Sequence, residues 1–376
     1  MKTRAAVLRQ IGAPPPYRDS RPLVIEEIEL APPGRDEVLV RIRAAGLCHS
    51  DLSVINGDRP RPVPMALGHE AAGEVVATGD GVADLAPGDP VALVFVPSCG
   101  HCGPCTEGRP ALCEPGAAAN TAGTLLGGAR RLAAADGSAI NHHLGCSAFA
   151  DHAVVSRRSL VKLEPGLQWE EAALFGCAVL TGVGAVVNTA QVRAGQSVAV
   201  VGLGGVGLAA VLGAVAAGAR DVIAIDLAAS KRELARALGA SRVFDGAAAD
   251  CVEQVRAATG GGLDHVFEFA GSVRAFETAY RITRRGGTTT TAGLPPPTAA
   301  FALPIVNLVA EERTVKGSYI GTCVPRRDLP HFVSLYRSGR LPVDRLMSGR
   351  LKLDEINEGF DRLQSGAVVR QVIVFD

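Results

Sequence analysis

The uncharged run Val198–Ala219, VAVVGLGGVGLAAVLGAVAAGA, is 22 residues long and decides how half of the chain is read. By length alone it could span a bilayer. Gly202, Gly204, Gly205 and Gly207 cut it into a β-branched piece, VAVV, and an Ala/Leu-rich piece, the texture of a buried strand, a tight turn and a buried helix. No membrane span is expected. In the pattern Gly202-x-Gly204-x-x-Gly207, the first glycine permits the turn, the second lets backbone N–H groups approach a diphosphate, and the third lets helix and strand pack closely. Leu203, Gly205 and Val206 complete the turn, and the N-terminus of the following helix favours negative charge. Asp226 closes the next apolar run, DVIAID, 24 residues after Gly202. A carboxylate there accepts ribose hydroxyls and repels a 2′-phosphate, so NAD is favoured over NADP.

Outward from this turn, residues 197–292 alternate apolar strands (DVIAID, HVFEFAG, GGTTTTAG) with helical stretches such as SKRELARALGA, the βαβ rhythm of a parallel sheet covered on both faces. Residues 1–178 instead show short β-branched runs broken by Gly and Pro, which predicts a mostly β, barrel-like body. The terminal RQVIVFD reads as a strand of that first body, giving a catalytic domain from 1–178 and 322–376 around a nucleotide domain of 179–321. Residues 116–139 are weakly patterned and read as a long surface loop. A length of 376 residues, 47% hydrophobic and 20% charged, excludes a disordered chain and fits two packed domains. Thirty-eight basic and thirty-eight acidic side chains balance, which disfavours nucleic acid as a partner, and the N-terminus has no signal pattern, so a cytoplasmic location is expected.

Nine cysteines in such a chain point to metal or chemistry more than to disulfides. Cys99, Cys102, Cys105 and Cys113, in the lobe 97–114, can surround Zn²⁺ with four thiolates; an iron–sulfur cluster is the chemical competitor. Four protein ligands close the shell, which makes the role structural. Cys48 in GLCHSD, His69 in LGHEAAGEV and Cys177 in LFGCAVL are scattered, and each alone reads as a core residue. Together, one imidazole and two thiolates would leave the open fourth position that catalytic zinc requires.

The motifs GLCHSD, GHEAAGEV, the four-cysteine lobe, HHLGCSAFADHAVV, FGCAVLTGVG, VVGLGGVGLAAV and VVRQVIVF together resemble the zinc-dependent, medium-chain alcohol dehydrogenase family over nearly the whole chain. The resemblance implies an α/β fold: a GroES-like, mostly β catalytic domain and a Rossmann domain with a doubly wound parallel sheet. It implies two zinc ions per chain, one catalytic on Cys48, His69 and Cys177 and one structural on the four-cysteine lobe, with NAD as hydride acceptor. Asp51 would orient His69, and Glu70 would lie behind the metal as an occasional ligand. Thr181 and Val206 would contact the nicotinamide, Lys231 the adenosine ribose, and His49 and Arg370 the diphosphate. Ser50 matches the hydroxyl that takes the alcohol proton; where many members end that relay in histidine, Ser53 stands here, leaving water or His49 to complete it. Phe95, His143, Leu144 and Leu294 would line a pocket for medium-chain or aromatic primary alcohols. Ala117 stands where the glutathione-dependent formaldehyde branch has arginine. The strand in ERTVKGSYIG would join two copies edge to edge as a homodimer. Two alternatives stay open: a polyol, sugar or other secondary-alcohol dehydrogenase of the same superfamily, and a non-catalytic protein that binds zinc and nucleotide.

Overall fold

A computed structural model describes Met1–Asp376, and the chain divides into two compact units. The first comprises Met1–Cys177, Val324–His331 and Met347–Asp376. Strands Lys2–Leu8, Leu23–Leu30, Leu132–Ala133, Ala139–His142 and Met65–Ala66 close into a small barrel in that order. Beside it lies a second sheet in the order Leu160–Lys162, Pro90–Leu93, Glu70–Thr78, Glu37–Gly46, Arg370–Val374, Met347–Leu351, with His152–Ser156 also pairing on Glu37–Gly46. The terminal RQVIV is therefore a strand of this unit, antiparallel to Glu37–Gly46 with Val372 opposite Gly46. Glu37–Gly46 is the pivot. Val38, Val40 and Ile42 enter one apolar cluster while Leu39 enters another, which is why EVLVRIRAAG is apolar on both faces. Phe149 and Phe360 meet edge to face at 6.1 Å in the larger cluster, each fully buried and each worth about 3 kcal/mol of burial.

The second unit, Ala178–Cys323 with Phe332–Leu346, is built on a six-stranded, all-parallel sheet. Its order is Arg242–Asp245, Asp221–Asp226, Ser197–Val201, Leu263–Glu268, Thr283–Thr291, Thr314–Gly317. Chain order reverses beside Ser197–Val201, so the doubly wound sheet has its switch point there, at the carboxyl ends of the central strands. All five residues of Ser197–Val201 are buried, and helix Gly205–Ala216 buries nine of its own, which accounts for the uniformly apolar run. Gly207 has no alternative, because a Cβ there would collide with the carbonyl oxygen of Gly202.

Two expectations need correction. Residues 116–139 are not one loop: they contain most of helix Glu114–Ala122, ended by Gly123 in the left-handed region, and the barrel strand Leu132–Ala133. The helix was illegible because its Ala-rich sequence has no clear apolar stripe; it is held instead by the Cys113 Sγ accepting from Gly116 N and by Asn120 Nδ2 donating to the Phe95 carbonyl. The return to the first unit is interrupted, since Phe332–Leu346 packs with the second unit, with Phe332, Val333, Leu341 and Val343 buried. Val198–Ala219 is the expected strand, turn and helix; the one helical stretch long and apolar enough to cross a membrane is Trp169–Thr189, and 78% of its most apolar window is buried within the protein.

Candidate active site

Three separate elements deliver Cys48, His69 and Cys177 to one point. Cys48 follows strand Glu37–Gly46 and caps helix His49–Ile55; His69 precedes strand Glu70–Thr78; Cys177 lies in the π-helical turn Phe175–Val179. That wider turn carries Cys177 inward, and neighbouring Gly176 is obligatory because a Cβ would strike the Leu93 carbonyl oxygen. The two Sγ atoms and the imidazole nitrogen lie within 4.8 Å of one another, with Cys177 Sγ 3.5 Å from His69 Nε2. All three residues are buried.

Asp51, fully buried, is the hub of this arrangement. Its Oδ1 accepts from His69 Nδ1 at 3.0 Å and from Gly68 N at 3.3 Å, and its Oδ2 accepts from Cys48 N at 3.2 Å. One carboxylate thus fixes the backbone at Cys48 and just before His69, and the tautomer of His69, leaving the Nε2 lone pair facing the thiols. His143 Nδ1 also lies 3.2 Å from Asp51 Oδ1, and its ring is edge-on to His69 at 5.5 Å. Phe95 stands edge-on to His69 at 5.2 Å. Expected as pocket walls, Phe95 and His143 therefore brace the histidine itself. Leu144 is buried beside them in sequence, and Leu294 is exposed in the second unit.

The charges suit a metal. A hydrogen bond with Cys177 leads the effects that hold the Cys48 thiol well below its usual range, and sharing that proton raises Cys177. Burial opposes charge on His69, but Asp51 and Cys48 outweigh it and raise the imidazole well above its ordinary value. Burial pushes Glu70 up to about 7 against the pull of Arg370, whose Nη1 lies 3.2 Å from the carboxylate. The Glu70 carboxylate is fully buried, and its charged partner is Arg370. Arg370 itself is buried and donates to the Leu47 carbonyl.

The second cluster is local. The Sγ atoms of Cys99, Cys102, Cys105 and Cys113 also lie within 4.8 Å of one another. His101 N and Cys102 N point at Cys99 Sγ (3.5 and 3.3 Å), while Cys99 N and Gly116 N point at Cys113 Sγ (3.1 and 3.3 Å). Against the cost of burial, those donors bring Cys99 down to about 6, whereas burial carries Cys105 up to about 12. Four thiols so close cannot all ionise without a cation among them, and aimed N–H groups are what a tetrathiolate site needs.

In the second unit, Gly204 has an ordinary φ of −71°, and a Cβ there would meet no protein atom within 4 Å. Nothing in the chain requires glycine at that point, so the open space before the helix N-terminus fits a bound group. Asp226 Oδ2 accepts from Leu203 N at 2.7 Å and Oδ1 from Ala228 N at 2.9 Å, tying the carboxylate to the turn and leaving further lone pairs for hydroxyls. Lys231 is half-buried in helix Ala229–Ala237; Val206 and Thr181 are half-buried in the helices Gly205–Ala216 and Leu180–Gly184. His49 is exposed and Ser50 half-buried at the start of helix His49–Ile55; the Ser53 hydroxyl donates to the His49 carbonyl at 2.9 Å.

Residues 34–165 match the model of the alcohol dehydrogenase GroES-like domain, and residues 205–338 that of the zinc-binding dehydrogenase domain. A geraniol dehydrogenase from Castellaniella defragrans is 38% identical over 100% of this chain and 98% of its own. The chain belongs to the zinc-dependent medium-chain alcohol dehydrogenase family. An S-(hydroxymethyl)glutathione dehydrogenase from Photobacterium damsela subsp. piscicida is also 38% identical, over 99% of this chain and 100% of its own. Among solved structures, benzyl alcohol dehydrogenase from Acinetobacter calcoaceticus superposes with a TM-score of 0.93 at 30% identity, covering all of both chains. A zinc-binding dehydrogenase from Sinorhizobium meliloti bound to NADP gives 0.80 at 28%, again over both whole chains. Membership makes the chain an oxidoreductase of alcohols, with zinc and a nicotinamide coenzyme as its chemical partners and a small alcohol or aldehyde as substrate. What sequence reasoning missed is the contact of His143 with Asp51; no spacing rule links residues so far apart, and only the folded barrel brings them together.

Proposed function

We propose that the chain is an NAD-dependent dehydrogenase of apolar primary alcohols, medium-chain, allylic or aromatic, holding one catalytic zinc on Cys48, His69 and Cys177 and one structural zinc on the four-cysteine lobe. The observation that carries this reading is the buried two-thiol, one-imidazole set organised by Asp51. When bound there, zinc supplies the Lewis acidity that lowers an alcohol's pKa and favours loss of hydride from its carbon to nicotinamide. The chain's own residues do the rest. Asp51 holds the proton on His69 Nδ1, so that Nε2 remains a donor of its lone pair. Glu70, ion-paired with Arg370, offers a further carboxylate oxygen nearby. Ser50 receives the alcohol proton. Ser53 is occupied by the His49 carbonyl and has no basic nitrogen, so His49 or water carries the proton to solvent. If His49→Ala leaves the pH dependence of turnover unchanged, water alone completes the relay.

Gly204, Gly205 and the helix N-terminus receive the diphosphate, Asp226 and Lys231 the adenosine ribose, and Thr181 and Val206 the nicotinamide. The carboxylate of Asp226 opposes a 2′-phosphate, which favours NAD. The geraniol and benzyl alcohol enzymes support apolar primary alcohols. Ala117 presents only an exposed methyl group, with no cation for a glutathione carboxylate. Strand Thr314–Gly317 is an exposed sheet edge, and Ile305, Val306 and Val309 nearby in sequence are 75, 69 and 76% exposed, which supports a homodimer paired along that edge. No cysteine is paired in a disulfide, which suits the reducing cytoplasm.

A panel of geraniol, benzyl alcohol, straight-chain primary alcohols, polyols and S-(hydroxymethyl)glutathione, each with NAD and with NADP, tests the reading. Reduction of NAD with the apolar primary alcohols, at least about tenfold faster in kcat/KM than with NADP, is expected. Turnover confined to polyols, to the glutathione adduct or to NADP would overturn it.

A further inference from the structure

At the switch point of the parallel sheet stands a carboxyl group that none of the steps above uses. Glu268 ends strand Leu263–Glu268, opposite Val201 on one side and Thr291 on the other. It is 2% exposed, and no cation pairs with it. Its Oε1 accepts from Gly271 N at 2.6 Å, and its Oε2 from Thr291 Oγ1 at 2.7 Å. The Glu268 carbonyl accepts from both Ala292 N (3.0 Å) and Gly293 N (3.1 Å). These bonds join the loops that leave two neighbouring strands. The fit is tight: a Cβ on Gly293 would reach 2.5 Å from Glu268 Oε2 and would collide with Gly271 N. The first of those loops then bears on the glycine turn, because a Cβ on Gly202 would sit 2.6 Å from Ala270 N, and Phe269 N donates to the Val201 carbonyl at 2.8 Å.

Burying a carboxyl group with only neutral donors is a poor way to stabilise a sheet, since an apolar side chain would fill the place at lower cost. What the group does accomplish is geometric. It ties the ends of two neighbouring strands together at the edge where an open parallel sheet receives its ligand, and the backbone bond from Phe269 to Val201 links them to a third. We infer that Glu268 is a positioning residue for the coenzyme, which holds the loops 269–272 and 291–293 against the phosphate-binding turn in the shape that NAD meets. The inference rests on the proposed reading that this turn holds a nicotinamide dinucleotide. Glu268 acts through Gly271, Thr291 and Ala270 and does not itself touch the reacting atoms.

The test uses the zinc-replete, full-length protein and measures NADH binding by calorimetry, coenzyme and alcohol KM, zinc content and Tm. Glu268→Gln can keep both contacts, with its amide donating to the Thr291 oxygen, and is expected within about threefold of the parent in NADH Kd. Thr291→Val removes one anchor and raises Kd about fivefold; Glu268→Ala removes both and raises it at least about twentyfold. Zinc content, and the alcohol KM at saturating coenzyme, stay at parental values in all three. If folded Glu268→Ala binds NADH like the parent, the inference fails; should that variant not fold, parental Kd in Thr291→Val overturns it equally. A parent that binds neither NADH nor NADPH would instead overturn the underlying reading of the turn.

Discussion

The two cysteine clusters each gather metal-ligating atoms within 4.8 Å of one another, yet they are built in opposite ways. The lobe takes four thiols from one short stretch, Cys99 to Cys113, with Cys102 and Cys105 only half-buried and the backbone N–H groups of the stretch itself aimed at sulfur. The other takes its donors from three distant elements, all buried, and depends on Asp51 to hold two of them in register. On the proposed reading the lobe, a short stretch with little apolar packing of its own, would take its metal in order to fold. The triad sits among buried core residues and, on the same reading, would take its metal for chemistry. Removing each metal should therefore do different things.

The largest effect falls on the triad. His69→Ala is expected to lower turnover by at least about 10³-fold and zinc from two ions per chain to one, while Tm moves by no more than about 3 °C, measured by kinetics, metal analysis and thermal denaturation. Cys102→Ser should also leave one zinc, but Tm falls by about 10 °C, and molecules that remain folded keep the catalytic ion. If both variants lost the same Tm, the division into structural and catalytic sites would be wrong. Asp51→Asn sharpens the contrast, because it removes a hub and no ligand. Chelator competition should show catalytic zinc held about 10- to 100-fold more weakly, with the lobe unaffected.

The smallest effect serves as the control for stability without metal. Asp264 Oδ2 accepts from Ser197 N and Oγ, and Arg284 lies 2.6 Å from Oδ1; against the cost of burial, these partners hold the carboxyl at about 2, below its ordinary 3.8. A depressed folded value means the stabilisation is complete above about pH 4 and fades as pH falls toward 2. Asp264→Asn is thus expected to cost about 1–2 kcal/mol at neutral pH, with both zinc ions retained, and denaturant titrations of variant and parent should converge on acidification. A gap that stays constant down to pH 2 would contradict the assignment.

The same contrast explains what could be read from sequence. The glycine turn and the four-cysteine lobe are local, so the spacing of Gly202, Gly204 and Gly207, and of the cysteines, carries the geometry directly. Cys48, His69 and Cys177 become a set only through resemblance, because their meeting depends on the π-helical turn and on the approach of Gly176 to Leu93, neither of which leaves a pattern. Helix Glu114–Ala122 escaped notice because alanine marks no face, and Phe332–Leu346 because helix Pro325–Arg337 runs from one unit into the other without a break in its sequence. Contacts of high sequence separation, such as His143 to Asp51, belong to the same class.

The central claim is that two thiols and one imidazole from three elements share a single catalytic ion. Anomalous diffraction at the zinc edge from crystals of the parent tests it most directly. Two peaks per chain are expected, one enclosed by the four sulfurs of the lobe and one bonded to Cys48 Sγ, Cys177 Sγ and His69 Nε2. A peak in the lobe alone, with zinc supplied in excess, would contradict it.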